Sequence, residues 1–460
     1  VSRWRDSLRT FLDDVYERTQ ILGPHDGRKE DWRFWHRTFR EALAAEKLEA
    51  LLAVGDEDAV VELVTKLDEE GEGRWAEPFA LLAGRLGEEA NTFVPRLART
   101  NKKLGLRALA TAHGLRRETL LELLEIYGDW ESRGKIYPQL PNHFEEPGPC
   151  LELIDELRQG TRNGHELYFL DLGAAGVARR WPEAADSADR LRSSLYDHIP
   201  PPDNPELFWR VETRLEGEVD LWRKIPAKEG WVGSPKGVGH DDERPRHRVE
   251  IERPFWMAAV PVTNAQYACF DPAKRWRSWE GVSEEELRHH PVVNVTWYEA
   301  VSFCRWLASI GFEGARLPTE EEWEIACRAG SEKAYWFGDS EEELDEVGWY
   351  TKNSKDRTHR VARKRANKRG LYDVHGNVWE WTASRWKSDY SSQKDGLTID
   401  PAEPPADLAG SPGVRRVLRG GSFWDTADWA RSAFRVVNDP WVEIWDQGFR
   451  VLLSSAPSED

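Results

Sequence analysis

Residues 415–453 read RRVLRGGSFWDTADWARSAFRVVNDPWVEIWDQGFRVLL. Gly420-Gly421 marks a place where the backbone bends or approaches a neighbour closely, which a residue lacking Cβ does at least cost. Beyond it come four tryptophans, Trp424, Trp429, Trp441 and Trp445, interleaved with Asp425, Asp428, Asp439, Glu443 and Asp446. Large rings that lose little entropy on binding, flanked by carboxylates, suit a binding face for basic or hydrogen-bond-donating partners. With Thr426, Phe434 and Val436 these are the candidate ligand-binding residues. The alternative is that Trp424 and Trp445 pack inward.

The surrounding composition narrows the classes. The 460 residues carry 64 Lys+Arg against 82 Asp+Glu, a net charge of −18. An acidic total counts against broad nucleic-acid binding, which needs a basic footprint. No apolar run reaches the roughly 18–20 residues of a membrane helix, and VSRWRDSLRTFLDD at the start lacks a signal-peptide core. Met257 is the one methionine, so Val1 is expected not to be an initiator. Cys150, Cys269, Cys304 and Cys327 show no CxxC spacing, and reduced thiols in the cytoplasm are the expectation.

Residues 1–130 read as short helices. In LEALLAVGDEDAVVELVTKL (48–67), Leu48, Leu51 and Leu52 precede a break at Gly55-Asp56, and Val60, Leu63, Val64 and Leu67 form a second helical stripe. Pro78 suits the first turn of the next helix, and further helices fall near Leu104–Ala112 and Thr119–Tyr127. This pattern suits a HEAT-like solenoid or an irregular bundle, without a fixed repeat to choose between them. Residues 131–221 read as an irregular α/β connection, with YPQLPNHFEEPGPC (137–150) a loop, ELYFLDL (166–172) a short strand and ADSADRLRSSLYDHI (185–199) a helix. IPPPDNPE (199–206) stops helix and ladder alike, because proline lacks the N–H.

Six blocks in the second half then appear in order: WVGSPKGVGHDDERPRHRVEIERPFWMAAVPVTNAQYACF (231–270), HHPVVNVTWYEAVSFCRWL (289–307), RLPTEEEWEIACRAG (316–330), GLYDVHGNVWEWT (370–382), RRVLRGGSFWDTADWARSAFR (415–435) and WDQGFRVLL (445–453). Two of them carry capping boxes, Thr296 with Glu299 and Thr319 with Glu322, each opening a helix. Together the blocks resemble the formylglycine-generating-enzyme (sulfatase-modifying factor) family over residues 222–454, with 455–460 a tail. The resemblance implies a variant C-type-lectin fold closed by pairing near its two ends, so the chain as a whole is expected to be α+β: an all-helical N-terminal region followed by this domain.

The family's oxidising members hold copper with two cysteine thiolates after the Gly-Gly-Ser block. Carried onto this chain, those positions are Asp425 and Ala430, neither of which offers the sulfur that Cu(I) prefers. Cys327 matches one half of a disulfide in some relatives, but its partner position is Val451. The iron-dependent sulfoxide-synthase branch resembles a His-x3-His-x-Glu pattern that is missing here. No copper or iron is therefore expected. The GNVWEW block implies a structural Ca²⁺ held by Asp373, Glu380 and the carbonyls of Gly376 and Val378, all hard oxygen donors. There is neither a P-loop nor a nucleophile elbow.

The segment between RGGS and GFRV also resembles the variable region of retroelement-diversified proteins. An AAC codon altered at its adenines encodes Phe434, Val436, Val437, Asp439, Val442, Ile444 and Asp446, but neither tryptophan nor Glu443, which need other template codons. Nearby, DSEEELDE (339–346) is acidic and KDRTHRVARKRANKR (355–369) basic. These read as a self-neutralising loop pair or as an anion site on Arg363, Lys364 and Arg365. The expectation is a non-catalytic recognition protein with a protein partner, its helical half docking to a signalling or defence assembly. Similarity to the sensor regions of NACHT/STAND ATPases and to accessory proteins of protease-linked systems suggests a STAND ATPase or caspase-like protease as that assembly. The alternative is a divergent metal-dependent oxidoreductase.

Overall fold

A computed structural model describes residues 22–24, 32–34, 45, 49, 76–392, 396–401 and 414–457. The stripe expected over 48–67 lies outside the described residues, apart from Glu49. The chain divides into two compact units, Val1–Leu153 and Ile154–Asp460.

In the first unit, strands β1 (Leu22–Pro24) and β2 (Trp32–Phe34) pair antiparallel. Helices α1 (Ala76–Arg85), α2 (Ala90–Thr100), α3 (Lys102–Leu109), α4 (Arg117–Ile126) and α5 (Trp130–Ile136) follow. Asn101 starts α3 by accepting the Leu104 N–H at 3.1 Å. Helix α3 packs on α1 and α2 through Leu82, Phe93, Leu97, Leu104 and Leu109, all buried. The closest approach is at Gly105, where an added Cβ would lie 2.5 Å from the Ala98 Cα. The proline-rich stretch expected as a loop forms a 3₁₀ turn, Tyr137–His143, and then opens α6 (Pro147–Gln159). Proline is tolerated at a helix start, where its missing N–H has no partner to lose.

In the second unit, α7 (Gly164–Arg180) contains the ELYFLDL run, which is helix and not the expected strand. Asn163 caps it, accepting from His165 and Glu166 N–H. The run is buried on every side, so its apolar pattern carries no period to distinguish strand from helix. Helix α8 (Ala185–Ser194) follows as expected.

The rest supplies strands β3 (Arg210–Thr213), β4 (Gly217–Asp220), β5 (Trp222–Ile225), β6 (Glu229–Val232), β7 (His247–Ile251) and β8 (Phe255–Ala258), then helix α9 (Asn264–Phe270). Helices α10 (Glu284–Leu287) and α11 (Trp297–Ser309), strand β9 (Ala315–Arg316) and helix α12 (Glu320–Arg328) come next. Both anticipated capping boxes are present at the starts of α11 and α12. After helix α13 (Leu344–Val347), strands β10 (Trp379–Arg385), β11 (Leu397–Ile399), β12 (Arg416–Arg419), β13 (Arg435–Asn438), β14 (Gln447–Phe449) and β15 (Leu452–Leu453) complete the unit.

Strand β15 lies between β8 and β9, and β8 pairs with β5, so the beginning and end of the domain join in one sheet. A second sheet runs β13-β12-β10-β14, antiparallel except for the β10–β14 pair. The loop from β12 to β13 and the start of β14 therefore converge at the end of that sheet where β10 begins. Fold class is α+β.

Replacing Gly105 by Ala should lower stability by about 1–3 kcal/mol, because the new methyl meets backbone while helix propensity gains less than that. Thermal unfolding followed by circular dichroism measures it.

Candidate functional site

At this converging end, residues 420–434 and 439–446 form one surface. Asp425 is fixed by Ser422, whose N–H donates to it at 2.9 Å and whose hydroxyl also donates to it. The same hydroxyl oxygen lies 3.1 Å from Asp446. A serine has one proton to give, so the second contact is favourable when Asp446 itself carries a proton. Burial, followed by the charge of Asp425, raises Asp446 to about 6. Burial raises Asp425 as well.

Aromatic rings surround this pair. Trp424 meets Trp445 edge-on at 5.2 Å, and Trp445 tilts against Phe423 at 5.3 Å. Trp429 stacks on Phe434 at 5.1 Å, and Trp379 touches both from the strand below. Trp424 is 51% exposed, Trp429 42% and Trp441 38%. Among the described residues only Leu81, Leu215 and Val238 are comparably exposed large hydrophobics. Asp428 holds Arg431 at 2.7 Å, and Glu443 faces Lys274 at 3.8 Å, on the side where that lysine also binds Glu299. Thr426 is exposed, while Val436 is half-buried within β13 opposite Leu418.

The sequence reading missed Trp379, Ser422 and the Arg277–Trp279 pair. Arg277 lies 4.7 Å over Trp279 and 5.3 Å over Trp445, and Trp279 meets Phe423 edge-on. The tryptophan-rich RWRSWE at 275–280 was the available signal. The inward-packing alternative holds in part for Trp445, which is half-buried, and not for Trp424.

The two positions matching the copper cysteines hold no soft ligand. Ala430 is buried against Gly421, and its carbonyl accepts from His375 Nδ1 at 2.7 Å. All four cysteines are free. Cys304 and Cys327 are buried and their thiols are pushed up, Cys327 to about 12, which keeps them protonated and inert.

Of the residues expected to cage calcium, Glu380 and one oxygen of Asp373 are engaged by protein donors, while Asp373 Oδ1 is buried without a hydrogen-bond partner. Glu380 accepts from Arg450 through both oxygens and from Trp323 Nε1 at 2.6 Å, so its charge is already matched. Asp373 accepts the Ala362 N–H at 2.8 Å, and the Gly376 carbonyl accepts Val378 N–H at 3.0 Å. Burial raises Asp373 to about 6. Among the described residues no three His, Cys, Asp or Glu side chains converge as a metal site.

A model of the sulfatase-modifying factor enzyme 1-like domain matches residues 225–455, half of the chain. The chain belongs to this family. A serine/threonine-protein kinase pkn1 of Chlamydia pneumoniae is 33% identical over 231 residues, covering 46% of this chain and 35% of that protein. The chain thus spans only about a third of that relative's length. A formylglycine-generating enzyme of Streptomyces coelicolor is 30% identical, covering 49% of this chain and 87% of the relative. An inactive C-alpha-formylglycine-generating enzyme 2 of Mus musculus is also 30% identical, covering 51% and 87%. Among solved structures, variable protein 1 of Treponema denticola is 27% identical, covering 51% of this chain and 95% of that one with a TM-score of 0.44.

Two outcomes follow from these contacts. Glu380→Ala strands the Arg450 charge and the Trp323 donor, so stability should fall by about 3–5 kcal/mol, and added calcium should not restore the melting temperature. Asp446 holds its proton above the unfolded range, so its stabilising contribution is complete below about pH 4 and is lost as pH rises through about 6. Asp446→Asn should therefore be more stable than the parent by about 1–2 kcal/mol at pH 7.5, a gap that closes by pH 4 in melting curves.

Proposed function

We propose that the chain is a non-catalytic member of its family, a recognition protein whose C-terminal domain binds a protein partner through the face of Trp424, Trp429, Trp441 and the neighbouring acids. The observation that carries this reading is three exposed tryptophans on adjoining loops, at the place where oxidising relatives need two thiolates and this chain has Asp425 and Ala430. Exposed indoles are costly to leave in water and are typical anchors of interfaces. The similarity to an inactive formylglycine-generating enzyme is in keeping with it, as the equal similarity to an active one leaves the ligands to decide.

The helical N-terminal residues would dock to a larger assembly, a STAND ATPase or caspase-like protease system in the cytoplasm of a bacterium. Among the described residues no helix is long and apolar enough to cross a membrane. Whether the tryptophan-bearing loops are diversified between copies is answered by sequencing the gene's neighbourhood for a template repeat differing opposite adenines.

The test pairs metal analysis with substitution. Purified protein should hold no stoichiometric copper or iron and consume no oxygen with thiol substrates; a redox centre that turns over would overturn the proposal. Trp429→Ala with Trp441→Ala should weaken a purified partner about thirtyfold or more, the effect of losing an interface anchor. Their melting should stay within about 1 kcal/mol of the parent. Loss of folding instead would assign the indoles to the core.

A further inference from the structure

The basic stretch 355–369 resolves into two groups. Lys364 reaches the Asp345 carbonyl and lies 4.1 Å over the Trp349 ring, while Arg365 turns to Glu343 at 3.3 Å and Glu346 at 3.8 Å. These two are spent on the acidic neighbour. Arg357, Arg360 and Arg363 instead turn to a different place, a pocket of about 680 Å³ that they share with Arg214 from the β3–β4 turn. Glu286 is the one carboxylate lining it.

Charge is not balanced there. Glu212 pairs with Arg360 and lies 3.8 Å from Arg363, and Glu286 lies 3.6 Å from Arg360. Arg214 and Arg357 have no ion-pair partner among the described residues. In a chain of net charge −18, two unmatched guanidinium groups facing one cavity need a reason. The pocket's histidines add no charge of their own. Burial, reinforced by Arg357, pushes His290 down to about 3 and His359 to about 4. Both are neutral at physiological pH, and the positive charge rests on the arginines. Trp349, also in the lining, has an indole N–H buried without an acceptor.

The cradle is held rigidly. The Arg214 N–H donates to the Ala362 carbonyl at 3.1 Å and the Val361 N–H to that of His289 at 3.0 Å. His290 Nδ1 meets the Thr358 hydroxyl at 2.9 Å, and the Asn377 side chain clasps both the N–H and the carbonyl of His359 at 3.0 Å. Lys355, Asp356 and Ala362 all adopt positive φ, between 54° and 57°, conformations that cost a non-glycine residue about 1 kcal/mol or more. Asp373 steadies the last of these by accepting its N–H. Such strain is held where the surroundings impose it, and here they impose the aim of the arginine-bearing loop.

We propose that this pocket binds a multiply charged phosphoryl oxyanion through Arg214, Arg357, Arg360 and Arg363. Planar guanidinium forks match phosphoryl oxygens two at a time, and the volume falls in the range of about 300–1,000 Å³ of small-molecule sites, with room for more than one phosphoryl group. The pocket shares no lining residue with the tryptophan face and stands whether or not that face binds a partner.

The experiment is calorimetric titration of the full 460-residue chain with inorganic pyrophosphate and, separately, adenosine diphosphate. Saturable one-to-one binding with a dissociation constant below about 1 mM is expected, weakening from 50 to 200 mM salt as ionic contacts do. Equal affinities identify a free polyphosphate as the source, and tenfold tighter binding of the nucleotide identifies a nucleotide. Arg214→Ala with Arg357→Ala removes the two unmatched charges without orphaning a carboxylate, and should weaken binding about a hundredfold, tenfold for each charge-assisted contact. Arg415→Ala, elsewhere on the surface, should leave it unchanged. If the double variant does not fold, Arg357→Lys decides, since it keeps the charge and loses the fork; binding should weaken several-fold. No saturable heat with either anion, or variants that bind like the parent, would overturn the assignment.

Discussion

Buried guanidinium–carboxylate pairs hold the second unit together, and they radiate from one helix. EEEWEIACR in α12 gives Glu320 to Arg435 at 2.9 Å, Glu322 to Arg316 at 2.7 Å, and Glu324 to both Arg328 and Arg419. Its Trp323 donates to Glu380, which binds Arg450. Arg419, Arg435 and Arg450 stand on or directly after β12, β13 and β14, so this one helix ties three strands in register. Such pairs add little net stability relative to apolar packing, because desolvation offsets attraction, yet each is costly to break on one side alone. The arrangement therefore specifies a single alignment of the strands more than it deepens the fold's free-energy minimum.

That constraint explains why a binding surface can sit on the loops. The strand ends flanking 420–434 are fixed from beneath by the Arg419–Glu324 and Arg435–Glu320 pairs, which use no loop side chain, while within the loop Arg431 is held by Glu243 at 2.8 Å and Asp428 at 2.7 Å. Substituting cysteine by Asp425 and Ala430 leaves the framework intact. Asp425 takes up hydrogen bonds within its own turn, and Ala430 fills the small space beside Gly421. Asp373 and Asn377 in the same way orient the 355–363 loop, through Ala362 and His359.

Local signals were read well wherever the chemistry was local. Both capping boxes, the helix near Leu104 and the loss of the copper ligands are visible in short stretches of residues. The errors came where burial was total or where charge had a distant partner. ELYFLDL has no polar face to reveal its period, and Asn163, its cap, lies outside the apolar run. The arginine that claims Glu380 is 70 residues away, so its ion pair is likewise invisible in the GNVWEW block. The basic run from 355 to 369 looked uniform, yet only its first half reaches the pocket.

By itself the sequence determined the family, the order of the blocks, the helix starts and the absence of thiolates at two positions, because each depends on residue identity or on contacts within one turn. Tertiary structure alone decided which tryptophans reach water, which carboxylates are free and which arginines lack partners. Those depend on what long-range folding brings within a few ångströms, and charge and exposure are properties of a neighbourhood that no single stretch of chain contains.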